Sequence, residues 1–345
     1  MFAAVTNTAR HGSRGWARGT ERLRSRARRS GARGLGRRRH RQRDMLTILA
    51  MPKSFRGHFA MIQRNAIRSW TLLRPKPEII LCGYEEGVAE IAAELGLIHV
   101  SEVARNEYGT PLLRDLLDRA EHMATNQLLA YLNADIILIG EWMDALAIVS
   151  KRFDRFLIVG RRVNIDVQEE ISFVPEWDAS QKKQMLAGGT PGSHTAIDLF
   201  IFPKGTYRQV PPFAIGRVWF DQWLIKAARR AGVPVVDVTA FAPVVHQNHD
   251  YSHVSGGMDW SYRGVEAENN LRLYGEAPHT FTLLDVTHEL TREGRIERVR
   301  FRRQGFMTRQ WLWEIFVRRT YVLRKRLGLR KGAWQGVVKR DSASP

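Results

Sequence analysis

Cysteine is almost absent. Cys82 is the only one in 345 residues, so no disulfide can form within the chain, a usage compatible with a reducing compartment. No stretch approaches the roughly 18 uninterrupted apolar residues that a membrane-spanning helix needs. No Gly-rich phosphate loop of the triphosphate-binding kind is present, which counts against nucleotidyl transfer from a nucleoside triphosphate. Early positive charge is not followed by the apolar stretch of about 7–15 residues that marks a secretory signal. The expected location is therefore cytoplasmic, with peripheral contact to the inner face of the membrane at most. No internal repeat is visible.

Acidic residues are scarce only at the two ends. The formal net charge is +19, but residues 1–44 carry fourteen Arg against Glu21 and Asp44, and residues 291–345 carry sixteen Lys and Arg against four acids. The stretch 45–290 is left at −5. An evenly basic chain would point to nucleic acid; here the basicity belongs to the ends, and nucleic acid is the less favoured partner. Arg10 to Arg43 is poor in apolar residues and dense in Arg, Gly and Ser, so it cannot bury enough surface to offset its ordering entropy. The expected organisation is a disordered Arg-rich arm over 1–44, a folded domain over 45–290 and a basic extension over 291–345. The arm reads as a solvated tail, a nucleic-acid-binding arm or a tether to an acidic membrane. Because Met45 immediately precedes the first strand-like run, it also reads as an over-extended start.

From Met45 onward, strands alternate with amphipathic helices. Leu46 to Met51, Glu78 to Cys82, Ile98 to Val100, the long apolar run Leu128 to Leu138, and Phe156 to Val159 have strand character. Between them, helices are expected over His58 to Leu73, Glu86 to Leu95 with Gly96 as C-cap, Pro111 to Met123 and Trp142 to Val149. Further on, Ile197 to Phe202 and Val233 to Val238 read as strands flanking a helix over Val218 to Ala231. This alternation predicts an α/β fold with a mostly parallel, Rossmann-like central sheet flanked by helices. Phe306 to Leu327 forms a basic amphipathic stretch, suited either to a membrane interface or to packing on the domain.

Ligands of open parallel sheets bind beyond the carboxyl ends of the strands. The loops there hold Pro52 and Lys53 after the first strand, Glu85 after the second, and Arg105 and Asn106 after the third. Cations in such loops can meet phosphates, and a carboxylate can accept from a base or ribose. A sharper signal is Tyr131-Leu132-Asn133-Ala134-Asp135-Ile136-Ile137-Leu138, in which Asn133 and Asp135 interrupt a buried apolar run where uncompensated polar groups are costly. Two oxygen ligands one residue apart suit a hard divalent ion, Mn²⁺ or Mg²⁺, completed by phosphate and water. An Asx-type turn between two buried strands is the alternative.

From about Thr47 to Leu290 the chain resembles GT-A fold glycosyltransferases of the broad family-2-like, nucleotide-diphospho-sugar transferase group. The resemblance is carried by Asn133-Ala134-Asp135, by the opening strand, by Arg105-Asn106-Glu107-Tyr108-Gly109-Thr110-Pro111, by the run from Phe213 to Leu224, and by His246-Gln247-Asn248-His249-Asp250-Tyr251-Ser252-His253. It implies a metal-dependent transfer of a sugar from a nucleotide-diphosphate donor, a UDP-sugar by family analogy, to a hydroxyl acceptor of carbohydrate or lipid-linked kind, with inversion. Asp135 matches the last position of the family's Asp-x-Asp step, whereas Asn133 stands where its first acid is found. The resemblance places His246 or His249, from a C-terminal loop, as a further metal ligand. Read by spacing alone, His246, His249 and His253 also suit a zinc cluster or hydrogen-bonding roles.

Asp221 lies near the start of the Val218 to Ala231 helix beside Trp219, Phe220 and Trp223. An acceptor sugar could stack on these aromatics while the carboxylate takes its hydroxyl proton; alternatively, Asp221 only favours the positive end of its helix. Gly188 to Ser193 reads as a lid or a plain loop. The competing function is a nucleic-acid-binding or membrane-surface protein on a catalytically inactive scaffold of the same kind, held to its partner by the basic ends.

Overall fold

The computed structural model describes residues 45–173, 177–250, 261–277 and 280–299. The Arg-rich arm and the amphipathic stretch Phe306 to Leu327 lie outside these residues, as does His253 of the proposed zinc cluster. The chain runs β1 (Leu46–Ala50), α1 (Gly57–Thr71), β2 (Glu78–Cys82), α2 (Val88–Leu95), β3 (Ile98–Val100), α3 (Leu113–Met123), β4 (Leu128–Leu132), β5 (Ile136–Leu138), α4 (Trp142–Arg152), β6 (Leu157–Val159) and β7 (Arg162–Ile165). It continues through α5 (Trp177–Gly188), β8 (Thr190–Pro191), β9 (Leu199–Pro203), α6 (Phe220–Arg230), β10 (Val235–Asp237), β11 (Val244–Gln247), α7 (Val265–Tyr274), β12 (His288–Leu290) and β13 (Ile296–Arg298).

The main sheet has the order β13-β12-β10-β6-β9-β4-β1-β2-β3. Its parallel pairs are β4–β1, β1–β2, β2–β3, β6–β10 and β10–β12; β9 enters antiparallel between β4 and β6, and β13 closes one edge antiparallel. The α/β class with a mostly parallel sheet flanked by helices, expected from the alternation, is the one observed. Strand alternation divides the core. Leu46, Ile48, Leu128, Ala130 and Leu132 pack with Ala66, Ile67 and Trp70 of α1 and with Leu146 and Val149 of α4. Leu49, Ile80, Leu129 and Tyr131 pack on the other face with Leu113, Leu116 and Leu117 of α3 and Leu224 and Ile225 of α6. Both faces are covered, which explains why these strands are apolar throughout rather than alternating.

The run Leu128 to Leu138 is two buried strands joined by a turn, the alternative given for the Asn133-Ala134-Asp135 step. Asn133 to Asp135 form a turn, closed by the Ile136 N–H on the Asn133 carbonyl at 3.2 Å, and the chain passes from the main sheet into a second one of order β5-β11-β7-β8. Buried Trp70 holds the far side of this crossing, its Nε1 donating to the Ile136 carbonyl at 2.8 Å. The glycine run is not an open lid either. Gly188 ends α5, Thr190–Pro191 pairs with β7, and a Cβ on Gly189 would lie 2.3 Å from Val163 Cγ1. Small residues are needed there because the backbone is pressed against β7. The domain boundary expected at residue 290 falls within the β12–β13 hairpin, whose Ile296 packs on the core.

Candidate functional site

Asp198, just before β9, and the turn after β4 stand at the same edge of the main sheet, where β5, β7 and β11 begin the second sheet. This is the carboxyl-end edge of the parallel strands. The turn is fixed from below. Fully buried Gln247 donates through Nε2 to the Asp135 carbonyl at 3.0 Å and the Ile62 carbonyl at 2.7 Å, and its Oε1 accepts from Asn65 at 3.1 Å. Asn65 Oδ1 in turn accepts from the Ile171 N–H at 2.9 Å. The backbone of Asp135 is thereby satisfied, and its carboxylate has other partners.

Those partners are histidines. One ligand atom each from Asp135, His246 and His249 lie within 4.8 Å of one another. His246 stands on β11, paired with Ile136 of β5 and Asn164 of β7. It is therefore a strand residue, because Val244 to Gln247 is a buried pairing segment; the C-terminal loop expected for both histidines begins after it and holds only His249. His249 Nδ1 lies 2.6 Å from the Asp250 carbonyl, and its Nε2 lies 3.0 Å from Asp135 Oδ2. A carbonyl can only accept, so Nδ1 carries the proton. In the neutral ring, Nε2 then points a lone pair at a carboxylate oxygen, an arrangement that is repulsive unless a cation or a second proton lies between. Asp135 Oδ1 and His246 Nδ1 are sealed from solvent and have no hydrogen-bond partner among the described residues. Such orphaned buried atoms are costly and call for an explanation. Two imidazole nitrogens and a carboxylate suit a divalent transition ion.

Charge at this edge is concentrated. Burial acts to raise the Asp135 carboxyl, but the neighbouring His249, His246 and Lys53 outweigh it and hold the carboxyl below the usual carboxylate range. Burial lowers the His246 imidazole, keeping it neutral and able to bind a metal, although Asp135 and Asp198 pull the other way. Lys53 is also lowered by burial, with Asp135, Asp198 and Asp250 opposing the shift. Its backbone is clasped by Gln63, at 2.6 Å on the Lys53 N–H and 3.0 Å on the carbonyl, and its Nζ lies 4.6 Å from the centre of the Phe59 ring.

Asn133 does not present its side chain beside Asp135 on an extended segment, as the Asn-x-Asp step suggested. Its Nδ2 donates to Asp198 Oδ1 at 2.8 Å, and Asp198 Oδ2 lies 3.0 Å from a guanidinium nitrogen of Arg162. The turn makes the difference, since it rotates successive side chains away from a common side. Asp198, Arg162 and Gln247 were not picked out from sequence. For Asp198 the signal was present: an acid inside the apolar run Ile197 to Phe202 is the same anomaly that marked Asp135.

Asp221 occupies the second position of α6. Its Oδ1 is sealed from solvent and has no partner among the described residues. Burial, and then the charge of Asp198, raise its carboxyl well above the usual range; its own backbone hydrogen bond and Arg162 offset only part of this. Trp219, two residues earlier at the N-cap of the helix, is held at φ 90°, a left-handed conformation that costs a bulky L-residue about 1–2 kcal/mol and tends to persist at functional sites. The aromatic stacking surface expected here is only partly present. Phe220 packs edge-on to Tyr131 at 6.1 Å within the core, whereas Trp223, 5.5 Å from Phe213, and Trp219, 5.4 Å from Tyr274, are both half-buried and remain as candidate platforms.

The remaining loop residues form a separate group. Pro52 is buried after β1. Arg105 pairs with Glu85 at 2.6 Å and lies over the Tyr84 ring at 4.1 Å, leaving Glu85 Oε2 and Arg105 Nε sealed without a partner among the described residues. Asn106 is engaged in its own loop: Oδ1 accepts from the N–H groups of Tyr108 and Thr110 at 3.0 and 2.9 Å, and Nδ2 donates to Glu266 at 2.7 Å.

No protein-family model matches the chain, and no curated protein matches it. Among solved structures it is similar to Staphylococcus aureus TarS in complex with UDP-GlcNAc, at 10% identity and a TM-score of 0.44, over 67% of this chain and 65% of that one. It is also similar to glucosyl-3-phosphoglycerate synthase from Mycobacterium tuberculosis in complex with Mn²⁺, UDP and phosphoglyceric acid, at 14% identity and a TM-score of 0.39, over 68% of this chain and 79% of that one. A third, a structure from Desulfovibrio desulfuricans G20 provisionally named a nucleotide-diphospho-sugar transferase, has 14% identity and a TM-score of 0.35 over 66% of this chain and 96% of that one. The chain thus spans just under two thirds of the TarS structure.

Proposed function

We propose that this protein transfers a glycosyl group from a nucleotide-diphosphate sugar to a hydroxyl acceptor, with a divalent cation held by Asp135, His246 and His249, a ligand set that suits Mn²⁺ better than Mg²⁺. The observation that carries this reading is the convergence of those three side chains at the carboxyl-end edge of a parallel sheet, with Asp135 Oδ1 and His246 Nδ1 buried and unpartnered. A cation bound there supplies Lewis-acid stabilisation of the negative charge that develops on a departing diphosphate. Lys53, at the same edge, adds a second positive charge against that oxygen.

Asp221 is the acceptor-side base. Its carboxylate takes the proton of the acceptor hydroxyl as the acceptor oxygen bonds to the anomeric carbon; the bond from that carbon to the diphosphate oxygen breaks, and its electron pair stays with the diphosphate. One displacement of this kind inverts the anomeric centre. Burial around Asp221 makes it a stronger base than a surface carboxylate, which suits proton abstraction near neutral pH. Glu85, Arg105 and Asn106, with Pro52, stand beyond the ends of β1 to β3 and are assigned to the nucleoside end of the donor; the unpartnered Glu85 Oε2 and Arg105 Nε support this assignment.

Calorimetric titration of the full chain with UDP-sugars, with and without Mn²⁺, tests the reading. Donor binding is expected to require the ion, and Asp135→Ala is expected to abolish the metal-dependent part. Equal affinity in EDTA and in Mn²⁺ would refute it.

A further inference from the structure

Asp198 has no part in the transfer just described. It lies directly across the β4–β9 strand pair from Asn133, since the register that matches Leu132 with Leu199 brings their neighbours face to face. The Asn133 N–H donates to the Asp198 carbonyl at 3.1 Å, and the Asn133 side chain donates to Oδ1 at 2.8 Å. Arg162 holds Oδ2 at 3.0 Å, and the Asp198 side chain is only 11% exposed. A carboxylate so placed carries a desolvation cost that a single cation rarely offsets, so a buried pair of this kind is weak support for stability.

The charges of the neighbourhood give it another purpose. Lys53, Arg162 and, on the proposed function, a divalent ion collect at this edge, while Asp135 is the single anionic member of the cation cluster. Asp198 adds a further carboxylate at this edge, fixed in place by Asn133 and Arg162. We infer that Asp198 is a positioning residue of the cation site: it adds carboxylate charge that offsets the divalent ion, and it fixes Asn133 and Arg162 at the same sheet edge. The charge has its place across the strand pair from the Asn133-Ala134-Asp135 step rather than within it. This inference rests on the cation site of the proposed function.

The pair is transposable, which provides the test. Exchanging the two residues in Asn133→Asp/Asp198→Asn keeps one amide, one carboxylate and the net charge. Mn²⁺ affinity is measured by calorimetry on the full chain, with melting temperature beside it, for the wild type, both single variants and the double variant. Groups that hydrogen-bond metal ligands contribute about 10–100-fold in affinity; Asp198 acts by charge and through Asn133 and Arg162 instead, so Asp198→Asn is expected to weaken Mn²⁺ binding by about 10-fold, the low end of that range. Asn133→Asp sets two carboxylates in contact and should lower the melting temperature. The double variant should recover both properties. Wild-type Mn²⁺ affinity in a folded Asp198→Asn protein would overturn the inference, as would a folded double variant that still binds Mn²⁺ weakly. If Asp198→Asn does not fold, the double variant alone decides between these outcomes. A wild type that takes up no Mn²⁺ at all would instead remove the cation site, and this inference with it.

Discussion

Two buried carboxylates, Glu266 and Asp135, have opposite surroundings. Glu266, 1% exposed, has a full set of donors: Asn106 at 2.7 Å on Oε1, and Arg217 at 2.9 Å through Nε and 2.8 Å through a terminal nitrogen on Oε2. Burial pushes its carboxyl up, but the hydrogen bonds from Asn106, Thr110 and Arg217 outweigh this and lower it. These contacts tie the loop after β3 and the approach to α6 onto α7. Asp135, 7% exposed, has a histidine on one oxygen and nothing among the described residues on the other. A network in which every group is satisfied specifies a structure, whereas one with sealed, unpartnered atoms carries a cost that calls for a functional explanation.

Asp221 belongs with Asp135 in this comparison, and it offers the largest expected effect. Asp221→Asn keeps the shape but cannot accept a proton, so kcat should fall about 10²–10⁴-fold with little change in KM. A residue that only favoured its helix end would leave turnover near normal, since Asn caps about as well as Asp. Steady-state kinetics on a soluble acceptor distinguish the two.

Glu266→Ala should show the opposite behaviour. Removing one partner of a buried pair leaves Arg217, 11% exposed, without its carboxylate, a loss of roughly 3–5 kcal/mol. The melting temperature should drop, while Mn²⁺ affinity of the protein that remains folded should be unchanged. Altered Mn²⁺ affinity would mean that the two clusters are coupled.

A smaller effect concerns pH. The Asp221 carboxyl is raised in the folded protein by burial and by Asp198, so the folded state holds this proton more tightly than the unfolded chain does. Its contribution to stability is complete below the ordinary carboxylate pKa of about 4 and is lost as pH climbs through the raised folded value. Asp221→Asn should therefore match the wild type at low pH and melt higher than it near pH 7, by a few degrees at about 2–4 °C per kcal/mol. Melting curves across the acidic range check this, and the inactive protein would be the more stable one.

The smallest effect expected is from deletion of residues 1–44, which have no apolar periodicity to offer a core. A protein starting at Met45 should melt and turn over like the full chain; a large loss in either would mean that the arm contributes to the domain.

Much of the fold was legible because helix and strand periods differ and both faces of the sheet are buried. Glu78–Cys82 and Ile98–Val100 were found to the residue, bounded as they are by Pro, Gly and charged neighbours. The second sheet was missed: Arg162–Ile165 and Val244–Gln247 are four-residue strands that pair only with distant segments, and so leave little local pattern. Asp135 stood out as a charge within an apolar run. Asp198 carried the same signal but was passed over, as it lies just outside the strand and its neighbour Asn133 is 65 positions away.

The sequence by itself determined the layered α/β class, the placement of basic charge at the two ends, and the candidacy of Asp135, His246, His249 and Asp221. Periodicity and the cost of burying polar groups are local properties that a single chain displays. Only the tertiary structure decided that Asn133 turns to Asp198, that His246 stands on a strand, that Phe220 belongs to the core, and that Gln247 anchors the turn below Asp135. Each of these depends on strand register and on which segments cross the sheet edge, and contacts between distant residues leave no period in the sequence.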